Sequence, residues 1–294
     1  MLNPQLINWL LLGFLVLVWG TSFMAIAVAI QGGLGPVAIT LLRIACAVIV
    51  LMLFCVAKGK KLPNNLKSWA SLLLLGLFGS ALPFMLISWG QQTVPSASTG
   101  VLMSIMPLVT MLLAHYLIEG ERLNRFKIMG FITAFTGVFI LLNPAAAGSV
   151  DFYGALAILA AASSYAFNTV LIRLLPPFHP AVAGTGMMLC SFIILLPLGI
   201  FEYSEITQQL TELAEAKALI AVIWLGLMPT GVASIIYFIV VNRAGPSFLS
   251  NCNFLIPVVA FFAGTILLNE PASLQSLIAL LAILCGITLT RIRR

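Results

Sequence analysis

Ten stretches of this chain, each about 17 to 24 residues long, carry almost nothing that water would hold. They run over 8–30, 36–57, 69–89, 95–117, 126–142, 153–173, 181–201, 218–241, 246–268 and 272–290. A helix rises about 1.5 Å per residue, so about 20 residues cross a hydrocarbon core about 30 Å thick. The breaks between stretches carry helix-stopping residues: QGGLGP, KGKKLPNN, EGERLNR, NPAAAG, PPFHP and RAGP. Over the whole chain 62% of residues are hydrophobic and 7% charged, against about 25% charged in a soluble domain. Too few polar side chains exist to cover a water-facing surface, so the expected solvent is lipid and the expected fold an all-α integral membrane protein of ten transmembrane helices. No connection is long enough for a soluble domain; the longest, EYSEITQQLTELAEAKA, can hold a short surface helix. Residues 1–8 have no Lys or Arg and no small-residue cleavage site follows, so the first stretch is expected to stay as a membrane helix.

Lysine and arginine set the expected orientation, since they concentrate in cytoplasmic loops. With a cytoplasmic N-terminus, Lys58, Lys60, Lys61, Lys67, Arg122, Arg125, Lys127, Arg173, Arg243, Arg291, Arg293 and Arg294 all fall inside, and Lys217 alone falls outside. Asp151, Glu202, Glu205, Glu212, Glu215 and Glu270 fall outside, Glu119 and Glu121 inside. The basic pI of about 9.3 is thereby a membrane-topology signal and not a nucleic-acid footprint. Both termini are expected in the cytoplasm.

The chain repeats itself. Glu121 and Gly137 recur as Glu270 and Gly286, Gly76-Leu77 as Gly226-Leu227, Pro107 as Pro257, and Pro36 as Pro180. Each copy holds five spans, residues 1–143 and 150–294. An odd number turns the second copy upside down in the membrane, an arrangement common in transporters that rock around a midplane site.

Three stretches carry a family resemblance: LVWGTSF (17–23), PVAITLLRIACA (36–47) and TVPSASTGVLMSIMPLVTMLLAHYLIEGERL (93–123), the last echoed in the second half. They resemble the EamA-type permeases of the drug/metabolite transporter superfamily, over essentially the whole chain. The resemblance implies two inverted five-helix repeats around a central cavity lined mainly by spans other than the fifth and tenth. It also implies export of small metabolites, often amino acids. It speaks weakly to substrate.

Candidate binding residues are the polar and aromatic ones at mid-membrane depth. Thr99, Met103, Met106 and Thr110 follow a 4, 3, 4 spacing that stacks them on one face of span four. Ser250, Asn253 and Pro257 do the same in span nine. Span six offers Ser164, Tyr165 and Asn168; span one offers Trp19, Ser22 and Phe23. Small hydroxyl residues also glue membrane helices together, and that reading stands beside a binding role for each. Trp19 lies at mid-span, away from the interfacial belts where Trp gathers. Arg43 is the ionisable side chain well inside a span. Such residues face the bundle interior; Arg43 either anchors a substrate carboxylate, forms a gate pair, or bonds carbonyls of a broken helix such as span three at Pro83.

No Asp or Glu lies inside a span. A membrane enzyme would need converging acids, bases or metal ligands there, so no enzyme is expected. Glu121 and Glu270 read as caps on the helices that follow them. The five cysteines show no CxxC or ligand cluster, so neither disulfide nor metal is expected, and without a Gly-rich phosphate loop neither is a nucleotide-driven pump or a cofactor. The expected partners are a small-molecule substrate and the lipid bilayer, with no nucleic acid and a homodimer left open. The pocket composition, apolar with few polar fixtures, suits amino acids or similar neutral or zwitterionic solutes. Other metabolites or drugs, or a non-transporting assembly subunit, are the alternatives.

Overall fold

The computed structural model describes residues 3–142, 150–212, 216–271 and 273–291. Glu215, Arg293, Arg294, Ala272 at the start of the last expected span, and the NPAAAG break lie outside the described residues. Among the described residues there is no strand. Seven helical runs are long and apolar enough to cross a membrane: α1 (Pro4–Gln31), α2 (Pro36–Ala57), α3 (Leu66–Gly90), α4 (Ser96–Leu117), α6 (Phe152–Leu174), α7 (Pro180–Phe201) and α8 (Ala216–Ala244). Three shorter helices occupy the remaining expected positions: α5 (Arg125–Leu141), α9 (Cys252–Leu267) and α10 (Leu274–Leu289). The 17 residues of α5 give about 25 Å of rise, a few ångströms short of a typical hydrocarbon core. The surface helix expected in the long connection is Tyr203–Thr211, with no buried residue.

Sequence chemistry sets the helix starts. Proline, which lacks the N–H that a first turn leaves unpaired anyway, opens α1, α2 and α7. Asn65, Asn124, Asp151 and Ser273 cap α3, α5, α6 and α10, each side chain accepting a backbone N–H from the first turn. Asn124 and Ser273 therefore do the work expected of Glu121 and Glu270. Those carboxylates sit three residues too early, and they turn to other partners described below.

Proline also breaks helices from within, because it offers no N–H to the carbonyl four residues back. The chain relaxes into π-helical turns at Leu77–Ala81, ahead of Pro83, and at Gly226–Val232, around Pro229. In α4 the helix is interrupted between Met103 and Met106, just before Pro107. The 4, 3, 4 face of span four is consequently not continuous: Thr99 and Met103 belong to one helical segment, Met106 and Thr110 to the next.

Helices of one half pack antiparallel on their counterparts in the other. A methyl group added at Gly130 would strike Gly286, and one at Gly137 would strike Ala279, so α5 and α10 run past each other in opposite senses. Small residues at those points let the backbones touch. Gly100 meets Ala260 while Gly264 meets Ser96 and Ala97, which makes α4 and α9 antiparallel too. Thr185 bonds Leu51 while Gly199 abuts Leu41, so α2 and α7 follow suit. Three further contacts recur when the halves are exchanged: α3 on α6 is matched by α8 on α1, α2 on α8 by α7 on α3, and α4 on α6 by α9 on α1. Outward faces stay apolar, with Leu53, Ile200 and Phe201 exposed, as a lipid-facing surface requires.

Candidate substrate site at the paired irregular helices

Of the three π-helical turns among the described residues, those in α3 and α8 frame the candidate site; the third, Ala263–Leu267, lies in α9. Breaking the regular ladder frees carbonyls, and buried carbonyls must find donors. Gly76 O accepts from Ser191 Oγ at 2.9 Å, and Phe78 O from Ser164 Oγ at 2.8 Å. In α8, Pro229 strips Leu225 O of its usual donor, and the Thr230 hydroxyl takes that place at 2.8 Å. Pro229 O accepts from the Trp19 indole Nε1 at 3.0 Å. Trp19 in α1 and Ser164 in α6 thus play matching parts in the two halves, each reaching from the neighbouring helix to an irregular turn.

Arg43 joins the two turns. Its Nε donates to Thr230 Oγ1 at 2.8 Å, and its guanidinium lies 3.7 Å from the centre of the Phe84 ring, three residues past the α3 irregularity. The carbonyl partner expected in span three is therefore replaced by a hydroxyl in α8 and an aromatic face in α3. Arg43 is only 6% exposed. Placing an arginine at mid-bilayer costs roughly 2.5–3.5 kcal/mol on insertion scales. A hydrogen bond from a charged group returns about 1.5–3 kcal/mol, and a desolvated cation–π contact about 2 kcal/mol. These contacts offset the insertion cost without an ionic partner, and the Nη groups make no hydrogen bond to a protein group among the described residues.

Tyr165 follows from the same geometry. Its ring meets Phe84 edge-on at 6.4 Å between centroids, so Tyr165 and Arg43 share one aromatic ring. Tyr165 and Met103 pack against the apolar cluster that contains Phe23. One turn along α6, Asn168 is 8% exposed and its Oδ1 accepts no hydrogen bond from a protein group. Its amide lies against Gly79, where any side chain would collide with it. Ser80 Oγ, beside Gly79, is buried and equally without a partner.

The other expected residues fall into two groups. Ser22 spends its hydroxyl on Trp19 O and Thr99 on Pro95 O. Both are local bonds to backbone carbonyls three or four residues back. Ser250 lies at the break before α9, where Arg291 reaches its carbonyl and hydroxyl, each at 3.1 Å. Asn253 stands in the first turn of α9 and half-buried, so Ser250 and Asn253 do not share one unbroken helical face. Thr230, Phe84, Gly79 and Ser191 were not anticipated. The available signal was the matching Gly-Leu pairs at 76 and 226, each followed by a proline inside an apolar run.

The carboxylates near the ends are engaged elsewhere. Ser96 N–H and Ala97 N–H each donate to Glu270, at 2.8 Å, so Glu270 caps α4 from the opposite half. Asn269, with φ at +54°, turns the chain to allow it. Glu121 instead pairs with Arg173 at 2.9 Å in an exposed position. A separate apolar pocket of about 180 Å³ opens between α4 and α5, bordered by Leu108, Phe131 and Lys127; none of the candidate residues lines it.

Comparison with known proteins bears on this arrangement. The profile of the EamA-like transporter family matches twice, over residues 7–143 and 152–292. The chain belongs to the EamA-like transporter family. An uncharacterized transporter of Archaeoglobus fulgidus is 27% identical over 286 residues, covering 95% of this chain and 97% of that protein. YedA, an uncharacterized inner membrane transporter of Escherichia coli K12, is 25% identical, covering 94% and 87%. A solved crystal structure with 21% identity superposes with a TM-score of 0.67 over 97% of this chain and 96% of its own, a likeness of fold. This EamA-family chain is a multi-pass membrane protein of a transporter family, and the family boundary between the two matches falls where the sequence repeat divides.

Proposed function

We propose that this EamA-family chain is a secondary transporter that exports small metabolites by alternating access, with amino acids or similar neutral or zwitterionic solutes as cargo. The observation that carries the reading is the antiparallel pairing of α2 with α7, α4 with α9 and α5 with α10, around two matching irregular turns. Two five-helix halves of opposite orientation, ten spans in all, account for that pairing. Such halves can rock about a shared site while exposing it to one side and then the other. Trp19, Phe23, Met103 and Tyr165 supply apolar and aromatic surface. Arg43, Ser164, Asn168 and Asn253 supply the few polar groups, and Ser22, Thr99 and Ser250 support the surrounding helices. The excess of basic residues on one set of loops supports cytoplasmic termini and a bacterial inner membrane.

The test is uptake of labelled amino acids into vesicles holding the purified protein. Saturable accumulation above empty vesicles is expected, competed by aromatic and aliphatic amino acids more than by sugars or dicarboxylates. Competition by unrelated drugs alone would assign the cargo to another class, and no flux of any solute would leave an assembly role instead.

A further inference from the structure

We propose that the Arg43 guanidinium, which shares the Phe84 ring with Tyr165, is the subsite that receives the carboxylate of the transported solute. This deepens the reading above and rests on it. Every Asp and Glu of the chain stands in a connection or at a helix end, so Arg43 has no carboxylate to pair with inside the membrane. It is nonetheless held firmly. Thr230 fixes Nε, Phe84 supports the flat face, and the Thr230 hydroxyl is itself anchored to Leu225 O. A guanidinium held by Nε and one face presents its Nη edge, the edge that pairs bidentately with a planar carboxylate. Those Nη groups have no protein acceptor among the described residues, so their donors are unspent and available to a carboxylate. Tyr165 approaches from α6 with its ring edge-on to the Phe84 ring that supports Arg43, and a phenol can donate to the same carboxylate.

The placement also gives the subsite a consequence. Arg43 stands on α2, Phe84 on α3, Thr230 on α8 and Tyr165 on α6, so a carboxylate held there draws on both halves at their two irregular turns. A solute lacking the carboxylate loses that bridge, whatever its side chain.

Binding of L-phenylalanine, L-phenylalaninamide, 3-phenylpropionate and inorganic phosphate to the full-length protein in lipid nanodiscs tests this. The wild type is expected to prefer each acid over the amide at least tenfold, with phosphate competing weakly. In Arg43→Gln the preference should fall to about twofold or less; Tyr165→Phe should weaken the acids several-fold and leave the amide unchanged. An undiminished acid preference in folded Arg43→Gln overturns the subsite, as does a wild type that ignores the carboxylate or binds phosphate as tightly as the acids. Should Arg43→Gln fail to fold, Arg43→Lys decides: it keeps the charge without the fork, and an unchanged preference in it and in Tyr165→Phe overturns the proposal. Arg43-dependent binding of 3-phenylpropionate in a protein that moves no amino acid would uphold the subsite and reject the amino-acid cargo.

Discussion

Asn168 and Gly79 give the most direct readings of the site at the scale of single residues. An acceptor buried without a donor costs about 1–3 kcal/mol, and Asn168 Oδ1 is such an acceptor. Leucine in its place removes that cost and enters lipid more readily. Asn168→Leu is therefore expected to insert and fold as well as wild type while vesicle uptake drops at least tenfold; unchanged uptake would move the site off α6. Gly79→Ala presses on the Asn168 amide and the Met187 methyl, and its expected effect is a several-fold loss of uptake with a lowered melting temperature. The burial of Asn168 and the packing of Tyr165 inside the bundle were legible in the sequence, because a polar side chain at mid-membrane depth is costly wherever it points. The partner of Arg43 was not. Thr230 is 187 residues away, and nothing in periodicity says which helix of ten stands beside which.

At the scale of elements, proline placement explains most of what the apolar pattern alone left out. Hydropathy located the helices, and repeated Gly-Leu and Pro positions marked the equivalent ones. Hydropathy has no term for a freed carbonyl, so the irregular turns and the hydroxyls that serve them emerged only from the packing. The same limit applies to Glu121 and Glu270. Their spacing from the next helix suggested caps, but Asn124 and Ser273 stand closer to those N–H groups. Glu270 does cap a helix, α4, and from the other half of the molecule. Two charge-assisted bonds to backbone N–H are lost or weakened in Glu270→Gln, each worth up to about 3 kcal/mol. Glu121 meets Arg173 in an exposed pair, worth about 1 kcal/mol or less. Thermal unfolding in detergent is accordingly expected to shift down by several degrees for Glu270→Gln and by about one degree or less for Glu121→Gln. Equal shifts would mean that the link between α4 and the segment after α9 carries no special weight.

At the scale of the whole molecule, the expected symmetry makes a claim about sidedness that stands apart from any substrate. Antiparallel α5 and α10 bring Gly130 and Gly286 together, so the equivalent ends of the two halves face opposite ways along the bundle. Glu121 and Glu270, equivalent in the repeat, must then lie on opposite membrane faces. On the expected ten-span topology Lys58, Lys60, Lys61, Lys67, Arg122, Arg125, Lys127, Arg173 and Arg243 share one of those faces, and basic residues favour the cytoplasm. Single cysteines placed at Glu119 and at Glu205 in a cysteine-free background should therefore respond oppositely to a membrane-impermeant maleimide. Glu205 lies on the exposed helix Tyr203–Thr211 and is expected to label in intact cells, whereas Glu119 should label only after the membrane is opened. The reverse pattern would invert the molecule in the membrane, and with it the direction of transport, while leaving the pairing of the halves untouched. Labelling of both sites from outside would do more: it would place the connections after the fourth and the seventh spans on one face, which ten alternating spans cannot do.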